Sequence, residues 1–444
     1  MPKRPNRGPS QAELFHTRLD RMCRADHPLV RLAQAINWEA FEEHFGQFYV
    51  EKKGRPGKPT RLLVGLHYLK HAFSESDESV VERLLENPYW QFFCGFEHFS
   101  HDLPLDPSSM TRWRKRVGEE GIEKLLIETI GTAKSGGLIT KRTMERVNVD
   151  TTVMEKVVAH PTDARLYQKA RHRLVKEAKA RGIILRQSYE RLGKRALLMQ
   201  GRYSHARQFK RARRETRRLK IFLGRVIRDI QRKCPNPDQP LANLLALSKR
   251  LHTQKRQDKR KLYALHAPEV ECIAKGKVHK RYEFGCKVSV ATTSRDNWIV
   301  GIKALHQNPF DGHTLVGALE QVRRITGTNP AHAYCDKGYK GSDKLERETR
   351  VQIGAKGWKR ASRTARSWIK RRAAVEPVIG HLKKDNRMGR NHLQGETGDK
   401  MTAMLAGAGY NLRKLLRAFL RRVLGRLFER INHLYLNMGG VVCA

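Results

Sequence analysis

A chain of 444 residues is too long for one ordinary hydrophobic core, so two or three domains are expected. Its 89 Lys and Arg against 44 Asp and Glu leave a formal charge of +45, an excess that repels itself in a compact state and favours a polyanionic partner. A hydrophobic content of 39% excludes a disordered polycation.

Nucleic acid leads among polyanions because phosphate contacts supply most non-specific affinity. Ribosome-like packing and anionic membrane surfaces are the alternatives. The start, "MPKRPNRGPSQAELF", is basic but has no apolar stretch of the kind a secretory signal needs. No apolar run approaches the ~18 residues of a membrane span. The seven cysteines are scattered, odd in number and free of C-x-x-C, which points to reduced thiols in the cytoplasm. Cys272, His279 and Cys286 lie close in sequence, but their spacing matches no usual zinc module.

Residues 1–140 read as helical. "PTRLLVGLHYLKHAF" (59–73) carries Leu62, Leu63, Leu66, Leu69 and Phe73 at helical spacing, and "SDESVVERLLENPYWQFFCGF" (76–96) opens with a capping pattern. "SSMTRWRKRVGEEG" (108–121) predicts a short basic helix with a serine cap. Helix, turn and basic helix suggest helix-turn-helix DNA binding, with Arg112, Arg114, Lys115 and Arg116 facing DNA. A helical bundle with a solvated basic face is the plainer alternative.

From about residue 144 the period changes. "ERVNVDTT" alternates Val147 and Val149 and predicts a buried strand ending on Asp150. The stretch 163–268 is dominated by bases, with 31 Lys and Arg against 6 Asp and Glu over 165–261. Its apolar positions recur at helical spacing, which predicts three or four long basic helices. "YEFGCKVSVA" (282–291), the turn "TTSRDN" and "WIVGIKAL" (298–305) form a hairpin. "FDGHTLVGALEQVRRITG" (310–327) is a capped helix, and "AHAYCDKGY" (331–339) is a short strand ending on Asp336.

Further on, "RRAAVEPVIGHLKK" (371–384) sets one acid, Glu376, among four bases. Asp150, Asp336 and Glu376, brought together, would repel one another unless cations sat between them. Hard oxygen ligands of this kind suit magnesium or manganese, and a pair of such ions is a device for phosphoryl transfer. Each acid also has a plain structural reading, since a strand-end Asp often caps a turn and a helix-start Glu serves the dipole. Thr162 and Asp163 read as a helix cap, and the amphipathic 411–431 as core packing or a dimer contact.

Those residues reach a known family. "VDTTVMEKVVAHPTDARL" (149–166), "NPFDGHTL" (308–315), "AYCDKGYKG" (333–341), "RRAAVEPVIGHLKKDNRMGRNHLQGETGD" (371–399) and "LAGAGYNLR" (405–413) resemble the DDE transposases of bacterial insertion sequences, in the group named after insertion sequence five. The resemblance implies an α/β fold: an RNase H-like catalytic core (141–162 and 269–400) interrupted by a long basic helical insertion (163–268). An all-α DNA-binding domain (1–140) would precede it and C-terminal amphipathic helices (401–444) would follow. It implies a catalytic and metal-binding triad of Asp150, Asp336 and Glu376 with Mg2+ or Mn2+, two ions. In the family's Tyr, Arg, Glu, Lys signature Arg372, Glu376 and Lys383 fit as DNA and helix contacts. Ile369 occupies the tyrosine slot, with Trp368 beside it, and Pro377 must kink the helix or sit in its first turn.

The expected activity is metal-dependent phosphodiester hydrolysis and strand transfer on double-stranded DNA, at terminal inverted repeats and target. The enzyme would act as a homodimer in the nucleoid, with no membrane role. A non-catalytic domesticated DNA-binding protein and a metal-dependent nuclease without strand transfer are the alternatives.

Overall fold

A computed structural model describes residues 17–49, 56–274, 281–342, 346, 348–354 and 358–439. The basic start of the chain, His279 and Cys443 lie outside the described residues. Six helices come first: α1 (Leu19–Met22), α2 (Pro28–Ala35), α3 (Glu39–Gly46), α4 (Thr60–Phe73), α5 (Asp77–Glu86) and α6 (Pro88–Phe93). Their starts are written locally. Ser76 and Ser79 close a reciprocal capping box on α5, and Asn87 accepts from Trp90 N at the head of α6, whose first residue is Pro88.

Helix α4 is buried on every side from Leu62 to Ala72, its polar His67, Lys70 and His71 included. The basic helix expected at 108–121 is the first part of a longer α7 (Ser108–Ser135), bent where Gly118 takes φ +67°. Beyond the bend, Ile122, Leu125, Leu126 and Ile130 carry the helix into the core.

A short α8 (Lys141–Met144) leads into β1 (Arg146–Glu155). The sequence suggested that this strand stops at Asp150. It runs on because β3 (Tyr282–Thr293) pairs antiparallel along it, from Val147–Thr293 to Glu155–Gly285. Gly285 is needed there: a Cβ on it would fall 1.9 Å from the Met154 carbonyl oxygen. Two further strands pair antiparallel with β3, namely β2 (Glu271–Ala274) and β4 (Ile299–Leu305), the latter with an irregularity at Ala291–Thr292.

On its other edge β1 pairs in parallel with β5 (His332–Cys335), which pairs in parallel with β6 (Arg350–Ile353). Between β4 and β5 runs α13 (Asp311–Thr326), closed by Gly327 in the left-handed conformation. Between β1 and β2 lie α9 (Asp163–Ala180), α10 (Glu190–His205), α11 (Phe209–Lys233) and α12 (Gln239–Thr253). Thr162 caps α9 by accepting from Arg165 N. The chain ends in α14 (Arg363–Arg371), α15 (Val375–Asp385) and α16 (Gly395–Gly439).

Two large apolar clusters organise these elements. One takes in the helices from α2 to α7, the inner face of the sheet, α13, α15 and the first part of α16. Closeness at its centre is set by "LAGAGYN". A Cβ on Gly409 would lie 2.6 Å from the backbone carbon of His71, and one on Gly407 would lie 3.0 Å from Ile302 Cγ2. Helix α16 therefore crosses α4 at backbone distance and packs against the Ile302 side chain of β4. The second cluster belongs to α9–α12, with Leu174, Leu223, Ile230, Leu241 and Leu251 at its centre.

Where the chain leaves the sheet for those four helices, and where it returns, buried Lys156 bonds Glu269 at 2.8 Å and Asp399 at 2.7 Å. Among the described residues no helix is long and apolar enough to cross a membrane. The expected apolar face at 411–431 contributes Leu412 and Leu415 to the core, while the side chains of Leu424, Leu427 and Ile431 lie outside the described residues.

Candidate active site

Strand register sets the first two acids side by side. The parallel pairing of β1 with β5 matches Asn148 to Tyr334. Two residues beyond that pair stand Asp150, still within β1, and Asp336, the residue that follows β5. Asp336 is held by the turn after β5, where its Oδ1 accepts from Gly338 N at 2.8 Å. Asp150 Oδ1 accepts from Thr151 N at 2.7 Å.

The third acid arrives through the break between α14 and α15. That junction is tied to the sheet by Asn148 Nδ2, which donates to the Arg371 carbonyl at 3.3 Å, and by Arg371 Nε, which donates to the Ser294 carbonyl at 2.7 Å. Asn148 shares the Asp150 face of β1, so the tie brings the start of α15 over that face. Val375 and Val378 turn into the core, and Glu376, between them, turns out with its side chain 66% exposed. Pro377 falls in the first turn of α15, where no intrahelical N–H is lost. Arg372 Nη2 stands 4.0 Å from Glu376 Oε1. Lys383 follows two turns along α15 from Glu376. Ile369 is half-buried on α14, and neighbouring Trp368 receives the Arg146 guanidinium 5.1 Å from its ring centre.

The acids feel one another. Burial pushes the Asp150 carboxyl up to about 6, the charges of Asp336 and Glu376 push the same way, and the Thr151 N–H and Arg372 pull against them. Concentrated negative charge at hard oxygen donors is the chemistry that a divalent cation relieves. The donor set thus fits magnesium or manganese, although among the described residues no three such side chains are grouped tightly enough to hold an ion as they stand.

The basic stretch of α7 is not uniform. Arg112, Lys115 and Arg116 are exposed, Arg116 lying 5.2 Å over the Tyr49 ring. Arg114, expected to face DNA, is a correction. Its side chain is 3% exposed and bonds Asp77 at 2.6 Å, because one helix face must turn inward and Arg114 follows Trp113 onto it. At the foot of α9 and α10 a cavity of about 450 Å³ has an apolar floor and a rim of His160, Arg165, Lys169, Arg173 and Lys194. His160, singled out after the first strand, meets the Phe284 ring edge-on at 5.4 Å.

Sequence reasoning passed over three residues near the acids, Thr151, Asp311 and Lys287. Thr151 Oγ1 donates to Asp311 Oδ1 at 2.9 Å, and Lys287 Nζ reaches the same oxygen at 3.0 Å. Asp311 read as a helix start; its place in "NPFDGHTL", far from both aspartates in sequence, gave no sign of this contact.

Asp150 on β1, Asp336 just after the paired strand β5 and Glu376 in the first turn of α15 make up the candidate site. Residues 330–416 match the family described as Transposase DDE domain, and residues 17–116 match Transposase domain (DUF772). The first of these segments contains Asp336, Arg372, Glu376 and Lys383; Asp150 lies before it. A Rhizobium meliloti protein described as "Uncharacterized protein ORF8 in nfe locus" is 56% identical over 208 residues, 47% of this chain and 99% of that protein. The two family matches indicate a transposase that carries a DDE domain. No solved structure matches it.

Proposed function

We propose that the chain is a cut-and-paste transposase of the group named after insertion sequence five. It binds terminal inverted repeats as a homodimer, hydrolyses phosphodiester bonds there and joins the freed 3′ hydroxyl to target DNA. The observation that supports this reading is that Asp336, which follows the strand paired with β1, and Glu376 both act by their charge on Asp150. The strand order supports an RNase H-like core: β4, β3 and β1 antiparallel, then β5 and β6 parallel, with a helix between β4 and β5. On this reading the four helices between β1 and β2 are the insertion, and residues 1–140 are the DNA-binding domain.

Asp150 and Asp336 would hold a shared Mg2+ or Mn2+, and Glu376 would complete a second site. When bound, such ions sharpen an attacking oxygen and stabilise a leaving one. Arg372 orients Glu376 and presents a cation to a phosphate. Lys383, on the same helix, holds DNA beside the cleaved bond. Arg112, Lys115 and Arg116 contact the repeat, and the basic rim of α9 and α10 follows the backbone.

The test is cleavage of a duplex carrying the terminal repeat in Mg2+. Asp150→Asn, Asp336→Asn and Glu376→Gln should each abolish it while leaving end binding within about threefold, because a metal ligand alone is lost. Cleavage retained by any one of them removes that residue from the triad.

A further inference from the structure

We propose that Asp311 is a positioning residue of this site, acting through Thr151 and Lys287 to fix both catalytic aspartates; the proposal rests on the transposase reading above. Asp311 is the first residue of α13, and its side chain is 27% exposed. A carboxylate at that position needs nothing more than the helix N-terminus to be satisfied. This one is instead drawn down onto the sheet. Its Oδ1 accepts from Thr151 Oγ1 at 2.9 Å and from Lys287 Nζ at 3.0 Å. The same ammonium donates to the Pro309 carbonyl at 2.7 Å, so the loop entering α13 is held as well.

Thr151 is the residue after Asp150, and its N–H donates to Asp150 Oδ1. Fixing the Thr151 hydroxyl therefore fixes the peptide that orients the first aspartate. Lys287 pairs across the sheet with Val153, so the anchor is rigid. Asp311 also lies close to the turn that follows the second aspartate. A Cβ built on Gly338 would stand 3.0 Å from Asp336 Oδ1 and 3.2 Å from Asp311 Oδ2. Gly338 of that turn thus packs closely against both carboxylates, where a larger residue would be tight. One side chain bonds the residue after Asp150 and packs against the turn that binds Asp336.

Groups that orient metal-binding carboxylates typically cost 10–100-fold in metal affinity or activity when removed, and about that loss is expected here. The experiment titrates Mn2+ into the full chain without DNA, reads free Mn2+ by its electron paramagnetic resonance signal, and follows Mn2+-dependent cleavage in parallel. Thr151→Val, which keeps shape and removes the hydroxyl, and Asp311→Asn, which removes the charge facing Lys287, should each weaken Mn2+ binding by about 10–100-fold. Thr151→Ser should restore it.

Mn2+ affinity within about twofold of the native chain in both Thr151→Val and Asp311→Asn, with or without a lowered melting temperature, would reduce Asp311 to a structural ion pair and overturn the proposal. Asp336→Asn in the same titration separates the two levels. If it too binds Mn2+ like the native chain, the catalytic reading fails and the positioning role falls with it. Lost binding in Asp336→Asn beside unchanged binding in the other two overturns the positioning role alone.

Discussion

Arg114 and Asp77 meet through two near-parallel hydrogen bonds, Nη1 to Oδ1 at 2.9 Å and Nη2 to Oδ2 at 2.6 Å, between the basic stretch of α7 and the head of α5. Lys70 adds a third donor to the same carboxylate at 2.7 Å, and Arg114 also contacts His67 Nε2 at 3.2 Å. Burial opposes ionisation of Asp77, but its bonds to Arg114 and Lys70 win and hold the carboxyl well below its usual range. The pair locks α4, α5 and α7 together.

Removing one partner from such a pair leaves the other charge buried and unmatched, which typically costs about 3–5 kcal/mol. Arg114→Ala should therefore destabilise the chain by about that amount in urea unfolding, chiefly through Asp77. Exposed Arg112 and Lys115 should behave in the opposite way. Their replacement by Gln should move stability by less than about 0.5 kcal/mol and weaken DNA binding. An Arg114→Ala chain of native stability would return this residue to the exposed basic face.

Two buried histidines beside this cluster set a pH dependence. Burial, with the charge of Arg114 adding to it, brings His67 down to about 3, and burial likewise holds His71 well below its ordinary value. Both are neutral when folded, whereas in the unfolded chain they take up protons below pH ~6.5. Folded values below unfolded ones mean that their stability contribution is complete above that pH. For His67 it is lost progressively down to about 3. By pH 5 His67 alone costs about 2 kcal/mol, and His71 acts in the same direction. Burial lowers Lys70 to about 8, so it stays charged throughout this window. Urea unfolding at pH 7 and pH 5 checks the sign, and His67→Gln should shrink the difference between the two by about 2 kcal/mol. An unchanged difference would show that His67 is protonated in the folded chain.

Much of this was legible locally, and the failures share a cause. Alternation over 282–305 and the capped pattern at 310–327 report neighbours close in sequence, and the strands and helix lie where those patterns set them. The end of β1 was misjudged because its pairing with β3 involves residues more than a hundred positions away, and a local alternation cannot show how far that ladder continues. Arg114 was misplaced because side-chain type outweighed helix phase: its neighbour Trp113 already marked the inward face. Asp311 was invisible as a site residue for the same reason that Asp150 and Asp336 were strong candidates. An acid that follows an apolar alternation stands out in the sequence, whereas a helix-start carboxylate bonded across the sheet looks like any cap.

Close backbone approach makes Gly409 a sensitive position. A methyl group there would lie 2.6 Å from both the His71 Cβ and its backbone carbon, so α16 would have to move off α4. Overpacking of this kind typically costs about 1–3 kcal/mol. Gly409→Ala should lower stability by about that amount, measured by thermal or urea unfolding. Gly425, which has nothing near the position of a Cβ, serves as the control: Gly425→Ala should be neutral or slightly stabilising. Equal effects at the two sites would show that the helix contact yields without cost.

The last expectation concerns the four helices between β1 and β2. They have an apolar core of their own, so their surplus of bases must lie outward, and Arg213, Arg214 and Arg217 stand exposed together along α11. A solvated bundle and a phosphate-following arm would look alike here, but they differ in how DNA affinity responds to salt. Each phosphate contact releases counterions and steepens the fall of log affinity against log salt by about 0.9. Replacing Arg213, Arg214 and Arg217 by Gln should flatten that slope by up to about 2.7 if all three meet phosphates. The loss should be the same for repeat and scrambled duplexes, because backbone contacts carry no sequence information. Replacing Lys115 or Arg116 should instead narrow the gap between repeat and scrambled DNA if α7 enters a groove. A slope unchanged by the triple replacement would mean that α11 faces solvent and serves only to space the sheet from whatever α7 binds.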